Sequence, residues 1–184
     1  AAALGIVRAV GFELADCVPL LAGMPPVPGR LESLREGQPF AVYVDYAHTD
    51  DALRQVLGTL REITPGRLRV LFGCGGNRDT GKRRKMGEVA AELADDILIT
   101  TDNPRHENPH FIAEQVAEGC PGMGRIELDR ARAIDEILRE AKAGDTVLIA
   151  GKGHETYQEI EDIVMPFDDR EQARAVLGAL HEGH

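Results

Sequence analysis

From Pro39 onward, short apolar runs alternate with longer segments in which apolar residues recur at helical spacing. Apolar runs of strand length without polar alternation are typical of parallel strands that are covered on both faces. The pattern predicts four such strands, at residues 40–44, 68–72, 96–100 and 146–150. Two shorter segments, at 156–160 and 164–166, predict an edge hairpin.

Amphipathic segments between these strands predict the helices. Thr49 is the expected N-cap of a helix over 49–60, and Asp168 is the expected cap of a final helix that runs through Leu180. Further helices are predicted through Met86 to Leu93, from about 109 to 118, and over 130–141. Strand–helix–strand repetition of this kind predicts an α/β fold, with a Rossmann-like, mostly parallel sheet flanked by helices.

The first forty residues follow a different pattern. Apolar positions at helical spacing within 1–21 predict one or two short helices, and the proline- and glycine-rich segment 24–30 cannot be a regular element. We therefore divide the chain into residues 1–40, the tail of a preceding domain with a linker, and residues 41–184, the α/β domain. The helix-like pattern begins at Ala1 without an initiator Met or a cap, which indicates a piece of a longer protein.

Composition and charge exclude several function classes. Aromatic residues make up only 4% of the chain, Trp is absent and the net charge is −10, which together argue against a nucleic-acid-binding surface. The three cysteines, at 17, 74 and 120, are not at metal-ligand spacing and are expected to be free thiols in a reducing cytoplasm. Without a leader or a membrane-spanning run, the chain is expected to be soluble and intracellular.

Ligands of a parallel α/β sheet bind beyond the carboxyl ends of the strands, so the loops after the four predicted strands are candidate sites. The first loop carries Asp45 at the strand end and His48 just before a helix. These residues could contact a ribose hydroxyl or a phosphate. A capping Asp and an exposed His explain the pattern equally well.

The second loop, at 73–83, is rich in glycine and allows a close approach of an anionic ligand. Residues 76–82 fit the G-x-x-x-x-G-K pattern of a phosphate-binding loop, but Arg83 follows where a Mg²⁺-binding Ser or Thr is needed. We therefore reject a working phosphate-binding loop and favour an anion site based on Arg78.

The third loop contains His106 to His110, which formally fits the H-E-x-x-H zinc signature. That chemistry needs both His on one helical face, and Pro109 inside the motif prevents this, so we reject a zinc site. Asn103 and Arg105 remain informative, because an Arg fork suits a carboxylate and an amide can both donate and accept. Together they would suit an amino-acid head group.

The fourth loop follows the last parallel strand and reads Gly-Lys-Gly-His-Glu. Its glycines permit close approach of a ligand, and Glu155 supplies an anion that could hold an ammonium. Alone this loop would pass for a flexible turn with solvated charges. Because it converges with Arg78, Asn103 and Arg105 on one edge of the sheet, a binding site is the better interpretation.

Taken together, the loops resemble those of the Mur ligases, which build the peptide of bacterial peptidoglycan. The matching segments agree in order and spacing across nearly the whole chain: 27–32, 45–49, 73–83, 102–105, 151–155 and 167–169. The Asp-Asn-Pro-Arg segment is similar to that of the family members that add meso-diaminopimelate, in which the Arg binds the distal carboxylate. The resemblance implies a meso-diaminopimelate site at Arg78, Asp102, Asn103, Pro104, Arg105, Gly151 and Glu155, with Asp45 and His48 facing the nucleotide.

The resemblance also implies a three-domain enzyme, of which this chain holds the tail of the central ATPase domain (1–40) and the carboxy-terminal domain (41–184). Such a ligase uses ATP and Mg²⁺ to phosphorylate UDP-MurNAc-L-Ala-D-Glu, and the amine of the incoming amino acid attacks the acyl phosphate. The phosphate-binding loop, the Mg²⁺ ligands and a carbamylated lysine would belong to the missing part. The chain alone is therefore expected to be an inactive, monomeric, cytoplasmic fragment that carries no catalytic residue and no metal ligand.

Several alternatives stay open at this point. The same ligase could add lysine or ornithine, because an Arg at position 105 can be kept for other reasons. The chain could also be a free-standing module that captures a dicarboxylic amino acid without catalysis. A third possibility is a regulatory domain that binds a nucleotide through residues 73–82.

Overall fold

A six-stranded sheet forms the centre of the fold in a computed structural model, which describes residues 2–13, 15–17 and 27–182. Its strand order is β1-β2-β6-β3-β4-β5; only β1 is antiparallel to its neighbour. The strands are β1 (Glu32–Leu34), β2 (Ala41–Asp45), β3 (Leu68–Phe72), β4 (Asp96–Ile99), β5 (Gly124–Ile126) and β6 (Thr146–Ala150). A separate antiparallel hairpin consists of β7 (Tyr157–Ile160) and β8 (Ile163–Pro166).

Helices cover both faces of the sheet, which explains why the central strands β3 and β6 are buried along their whole length. One apolar cluster joins the sheet to α2, α3 and α4, and a second joins the opposite face to α5 and α6. The helices are α1 (Ala2–Ala9), α2 (Asp50–Ile63), α3 (Gly81–Leu93), α4 (Pro109–Ala117), α5 (Arg130–Glu140) and α6 (Asp169–Glu182).

The predicted α/β fold with a mostly parallel sheet is confirmed, and each of the four predicted strands begins and ends within one residue of its expected position. Thr49 caps α2 as predicted, because its Oγ1 accepts a hydrogen bond from the Ala52 amide. Asp168 precedes α6, and its Oδ1 accepts from the Arg170 amide. These local signals therefore define the helix starts that follow two of the loops.

The strands β1 and β5 and the position of the β7–β8 hairpin differ from the sequence-based prediction. The strands β1 and β5 were not predicted, because each has three residues and at most one of them is buried. The hairpin does not extend an edge of the main sheet. It forms a sheet of its own because its hydrogen bonds go to the loop after β4: the Arg105 and Glu161 amides pair with the carbonyls of Glu159 and Arg105.

The amino-terminal segment is helical at α1 and again at 15–17. Leu14, and residues 24–26 of the predicted turn segment, lie outside the described residues. The division at residue 40 stays a prediction. None of the helices in the described part of the chain has the length and apolar content that a membrane crossing requires.

Two glycines allow α3 to contact the chain directly after α4. A Cβ on Gly87 would lie 2.1 Å from the Val116 carbonyl oxygen, and a Cβ on Gly119 would lie 2.0 Å from that of Arg84. We expect Gly87→Ala to lower the free energy of unfolding by about 1–3 kcal/mol, because both helices must separate to admit the methyl group. Urea denaturation measures this change.

Gly58 provides the matched control, since it also lies within a helix, α2, and a Cβ there would meet no atom within 4 Å. Gly58→Ala is expected to raise the free energy of unfolding by about 0.5–1 kcal/mol, because it restricts the unfolded chain and clashes with nothing. Equal stabilisation by both substitutions would contradict the close helix contact.

Candidate functional site

A cleft of about 420 Å³ lies at the carboxyl edge of the sheet. The strand β6 lies between β2 and β3, with β4 next to β3, so the loops after all four strands meet at this edge. A larger hollow of about 550 Å³ lies at the opposite edge, remote from these loops. The cleft is lined by Tyr46, His48, Thr49, Gly75, Arg78, Asp79, Lys82, Asp102, Asn103, Arg105, Gly151 and Glu155.

Three oxygen atoms from two loops surround one buried ammonium in the cleft wall. The Nζ atom of Lys152 lies 3.1 Å from Asp102 Oδ1, 3.0 Å from Asn103 Oδ1 and 3.7 Å from Glu155 Oε2. Lys152 is fully buried, whereas Asp102 and Glu155 both line the cleft. Two carboxylates and one ammonium leave a net negative charge at this point, which suits the ammonium group of a ligand.

The Asn103 side chain is held in one orientation. Its Oδ1 accepts from Lys152 Nζ and also from the Glu159 amide at 3.0 Å, and its Nδ2 donates to Glu155 Oε2 at 3.3 Å. Because both ends of the amide have partners, the donor end is fixed beside the Glu155 carboxylate. Asn103 therefore links the two loops that contribute the acidic side chains.

Arg105 is the cation of the same loop and adopts a left-handed backbone conformation, with φ of +51°. Its Nη1 donates to the Gly76 carbonyl at 2.9 Å, and its Nε lies 2.9 Å from Glu159 Oε2. Within the described residues, Nη2 has no hydrogen-bond partner, and the side chain lines the cleft. The guanidinium is thus fixed through Nε and Nη1, and its Nη2 group can donate to a ligand carboxylate.

The β7–β8 hairpin supports this loop from outside the cleft. The Arg105 amide donates to the Glu159 carbonyl at 3.2 Å, and the Glu161 amide donates to the Arg105 carbonyl at 2.8 Å. The Gln158 side chain donates to the Thr101 hydroxyl and to the Asp102 carbonyl, each at 2.9 Å. These bonds compensate the strained backbone at Arg105 and hold its side chain in place.

Further basic side chains lie on the side of the cleft formed by the glycine-rich loop and α3. Arg78 is exposed, and Lys82 is half-buried and donates from Nζ to the His48 carbonyl at 2.7 Å. Both residues line the cleft. Positive and negative groups are therefore present in one cavity, as recognition of a zwitterion requires.

An aromatic and basic cluster stands beside the acidic groups. The Tyr46 ring lies 4.6 Å from the His48 ring and 5.2 Å from the His154 ring, and the Arg30 guanidinium lies 4.7 Å from its centre. Burial, together with the nearby Glu155 carboxylate, raises the pKa of Tyr46. Tyr46 therefore remains a neutral phenol between the His48 side and the Glu155 side of the cleft.

Six of the seven predicted amino-acid-binding residues line the cleft, and the predicted nucleotide-facing His48 lines it as well. Pro104 is buried behind it. Asp45 is buried too, and its two carboxylate oxygens accept from the Leu31 and Ala47 amides at 2.7 and 2.8 Å. The carboxylate of Asp45 thus binds the backbone before β1 and directly after β2. A nucleotide-facing role for Asp45 stays a prediction.

The glycine-rich loop is held by protein groups where a phosphate-binding loop would leave amides free. The Asn77 amide donates to the Glu107 carboxylate, and that carboxylate also accepts from Arg83 at 2.9 Å. Hydrogen bonds from Arg83 and Asn77 lower the pKa of Glu107. Since Arg83 is buried and binds Glu107, Gln115 and the Gly75 carbonyl, it is a structural residue, which agrees with rejection of a phosphate-binding loop.

Two other motifs contribute no chemistry to the cleft. The helix α4 begins at Pro109, so His106 precedes it and cannot share a helical face with His110. In the described residues no group of three or more His, Cys, Asp or Glu side chains could hold a metal ion. Cys74 is a buried free thiol, and burial raises its pKa to about 12, so it is not a nucleophile at neutral pH.

The sequence-based prediction missed two buried cations that organise the site. The sequence pattern assigns Lys152 only to a loop and Arg130 only to the start of a helix. Arg130 forms a fully buried ion pair with Asp169 at 2.7 Å and donates to the Thr101 and Ala150 carbonyls. Burial alone would lower the pKa of Arg130, but the carboxylates of Asp169, Asp102 and Glu155 together raise that pKa. The sequence signal for these two buried cations is weak: Lys152 is one basic residue in the loop after β6, and Arg130 is one at the start of α5.

Comparison with known proteins identifies the family of the chain. Residues 29–153 match the family described as Mur ligase, glutamate ligase domain. Curated relatives with the name UDP-N-acetylmuramoyl-L-alanyl-D-glutamate--2,6-diaminopimelate ligase include those of Gloeobacter violaceus and Acidovorax sp.. That of Gloeobacter violaceus is 50% identical over 179 residues, covering 96% of this chain and 37% of the relative. That of Acidovorax sp. is 51% identical over 183 residues, covering 95% of this chain and 36% of the relative.

A solved structure of a ligase with the same name superimposes with a TM-score of 0.79 at 41% identity, over 98% of this chain and 37% of the solved chain. This chain thus spans little more than a third of the length of the proteins it matches. The family match covers more than half of the chain, and both the fold and the sequence of relatives agree with it. The chain belongs to the Mur ligase family.

Proposed function

We propose that this chain is the amino-acid-binding part of an ATP-dependent ligase that adds meso-diaminopimelate to UDP-MurNAc-L-Ala-D-Glu. The observation that carries the proposal is the presence, in one cleft, of two carboxylates and of Arg105, whose Nη2 has no partner among the described residues. The curated relatives are named for this amino acid. In this proposal residues 41–184 are the binding domain, and residues 1–40 are the tail of the central domain.

The distal end of meso-diaminopimelate carries one ammonium and one carboxylate, and the cleft offers a partner for each. Asp102 and Glu155 receive the ammonium, because their joint charge exceeds that of the single lysine between them. The Nη2 side of Arg105 receives the carboxylate. Arg78 and the donor end of Asn103 complete the set, and Gly151, with φ of +110°, allows the ligand to approach the chain.

The reaction then proceeds in two balanced steps. The D-glutamyl carboxylate takes the γ-phosphoryl group of ATP and gives an acyl phosphate and ADP. The free amine of the amino acid attacks the acyl carbon, loses a proton and expels inorganic phosphate, so that an amide bond forms. The role of this chain is to hold the amine in position for that attack.

The nucleotide side of the proposal rests on His48 and Lys82, which face the same cleft from the loop after β2 and from α3. Because the described residues offer no cluster of metal ligands, the proposal assigns Mg²⁺ no ligand among them. The ligase is proposed to act as a monomer in the bacterial cytoplasm, and its central domain would hold most of the ATP.

Calorimetry on the 184-residue chain tests the proposal directly. We expect binding of meso-diaminopimelate, with lysine binding at least about 100-fold more weakly because it has no distal carboxylate to accept from Arg105 Nη2. The control is ATP in the same titration, for which no hydrolysis is expected. Equal or tighter binding of lysine or ornithine would contradict meso-diaminopimelate as the substrate. ATP hydrolysis by this chain would overturn the proposal.

A further inference from the structure

Lys152 is one of four lysines in the chain, and it is the one whose side chain is fully buried. The turn that carries it is constrained: Gly151 and Gly153 have φ of +110° and +54°, and the Glu155 amide donates to the Lys152 carbonyl at 2.9 Å. A Cβ on Gly153 would lie 2.7 Å from the Gly29 carbonyl oxygen, so the turn is also packed against the preceding linker. The ammonium is therefore held behind the cleft by a rigid support.

A buried ammonium must recover from the protein the hydrogen bonds that it loses from water. The three oxygens near Lys152 Nζ, at 3.1, 3.0 and 3.7 Å, belong to Asp102, Asn103 and Glu155. The Tyr157 ring, whose centre lies 5.7 Å from Nζ, is a further neighbour. All three oxygen-bearing residues are ones that we propose to bind the amino acid, so Lys152 contacts the binding groups from the side opposite the ligand.

The lysine affects these groups in two ways. It lies between two carboxylates that would otherwise repel each other across a largely desolvated space. It also binds the oxygen end of the Asn103 amide, which keeps the nitrogen end directed at Glu155. Without Lys152, Asp102 and Glu155 would move apart and Asn103 would lose one of the two contacts that orient its oxygen.

We propose that Lys152 is a positioning residue for the distal ammonium of the incoming amino acid. It holds Asp102 and Glu155 close enough together to share that ammonium, while the pair keeps one uncompensated negative charge to attract it. This inference rests on the proposed function. It differs from a purely structural role in one respect: the effect of Lys152 depends on whether the ligand carries the distal ammonium.

The test uses a complete ligase that carries this chain, with Lys152→Met and two substrates. Meso-diaminopimelate has the distal ammonium, and 2-aminopimelate keeps the reacting amine and the distal carboxylate but lacks that ammonium. Loss of a charge-assisted contact predicts a fall of about 30-fold in kcat/KM for meso-diaminopimelate. For 2-aminopimelate, kcat/KM is expected to change less than about 3-fold, and KM for ATP is expected to stay constant.

Lys142→Met is the matched control, because it makes the same change at an exposed lysine just before β6, at the opposite edge of the sheet. It should leave both substrates unaffected. An equal loss for both substrates in Lys152→Met, or no loss for either, would overturn the inference. Failure of the proposed function itself would be seen earlier, as wild-type ligase that does not use meso-diaminopimelate.

If Lys152→Met does not fold, the wild-type chain provides a second measurement. In a chain labelled with ¹⁵N-lysine, the buried ammonium of Lys152 should give an exchange-protected signal, unlike those of the exposed Lys85 and Lys142. Saturating meso-diaminopimelate is expected to shift this signal, because the ligand ammonium competes for the same Asp102 and Glu155 oxygens. A signal that does not move on saturation would overturn the inference.

Discussion

Arg105→Ala, in a ligase that carries this chain, is expected to lower kcat/KM for meso-diaminopimelate by about 10³-fold and to leave kcat/KM for lysine nearly unchanged. A site built to bind a substrate carboxylate discriminates through that contact, and two charge-assisted hydrogen bonds are worth several kcal/mol in a partly desolvated cleft. Lysine has no distal carboxylate and therefore cannot lose this contact. The measurement is the ratio of the two kcat/KM values before and after substitution.

The expected size of this effect depends on how the guanidinium is held. Its Nη1 and Nε atoms are already engaged by the Gly76 carbonyl and by Glu159, so little side-chain entropy is left to lose on binding. Arg105→Lys keeps the charge but not the planar fork, and should give an intermediate loss. The side chain of Arg105 is about one-fifth exposed, which leaves it within reach of a ligand.

Arg54→Ala serves as the control, since Arg54 is an exposed arginine of α2 whose ion pair with Glu92 lies on the protein surface. It should change neither substrate ratio nor stability measurably, because exposed ion pairs contribute little. If Arg105→Ala leaves the preference for meso-diaminopimelate over lysine unchanged, another part of the enzyme binds the distal carboxylate of the substrate.

Much of the fold could be predicted because its central strands are continuous apolar runs. In β3 and β6 every residue is buried, and this burial needs no knowledge of partners once helices are expected on both faces. The short strands β1 and β5 carry no such signal, because only Leu34 is buried among their residues. Their pairing is imposed by neighbouring strands, and a local pattern cannot report it.

The location of the cleft could also be predicted, since the carboxyl ends of parallel strands meet at one edge. The buried cations behind the cleft, Lys152 and Arg130, could not be predicted. Lys152 meets Asp102 across 50 positions of sequence, and Arg130 meets Asp169 across 39. The sequence alone leaves a basic residue in a loop or at a helix start indistinguishable from the many solvated ones.

The role of Arg83 could not be predicted from the sequence either. Arg83 stands where a phosphate-binding loop needs a Mg²⁺-binding hydroxyl, but the sequence gives no reason for an arginine there. Its guanidinium lies between the glycine-rich loop and α4, where it binds the Glu107 carboxylate and the Gly75 carbonyl. It thereby links two of the loops that form the cleft.

The largest expected effect on stability comes from the ion pair between Arg130 and Asp169. Both side chains are fully buried, and Nε and Nη2 of Arg130 each lie 2.7 Å from a carboxylate oxygen of Asp169. The same guanidinium donates to the carbonyls of Thr101 and Ala150, which immediately precede the loops with Asp102 and with Gly151. One side chain thus joins α5, α6 and the ends of β4 and β6.

Arg130→Met is therefore expected to lower the free energy of unfolding by about 3–5 kcal/mol, because it leaves a buried carboxylate without its partner and two carbonyls without a donor. Asp169 lies in the first turn of α6, and the amides of that helix start compensate part of its charge. Since the two site loops lose a common support, binding of meso-diaminopimelate should weaken as well. Urea denaturation and calorimetry measure the two effects.

Arg139→Met on the same helix separates burial from ion pairing as the cause. Arg139 pairs with Asp135 at 2.8 Å, nearly the same distance as in the buried pair, but the two side chains are 51% and 43% exposed. Its loss is expected to cost less than about 0.5 kcal/mol, because water solvates both charges after the substitution. If both variants lose a similar amount of unfolding free energy, the loss comes from replacing an arginine in α5 and not from breaking a buried ion pair. A large cost for Arg130→Met alone would mean that the cleft is held together by a charge that no ligand touches.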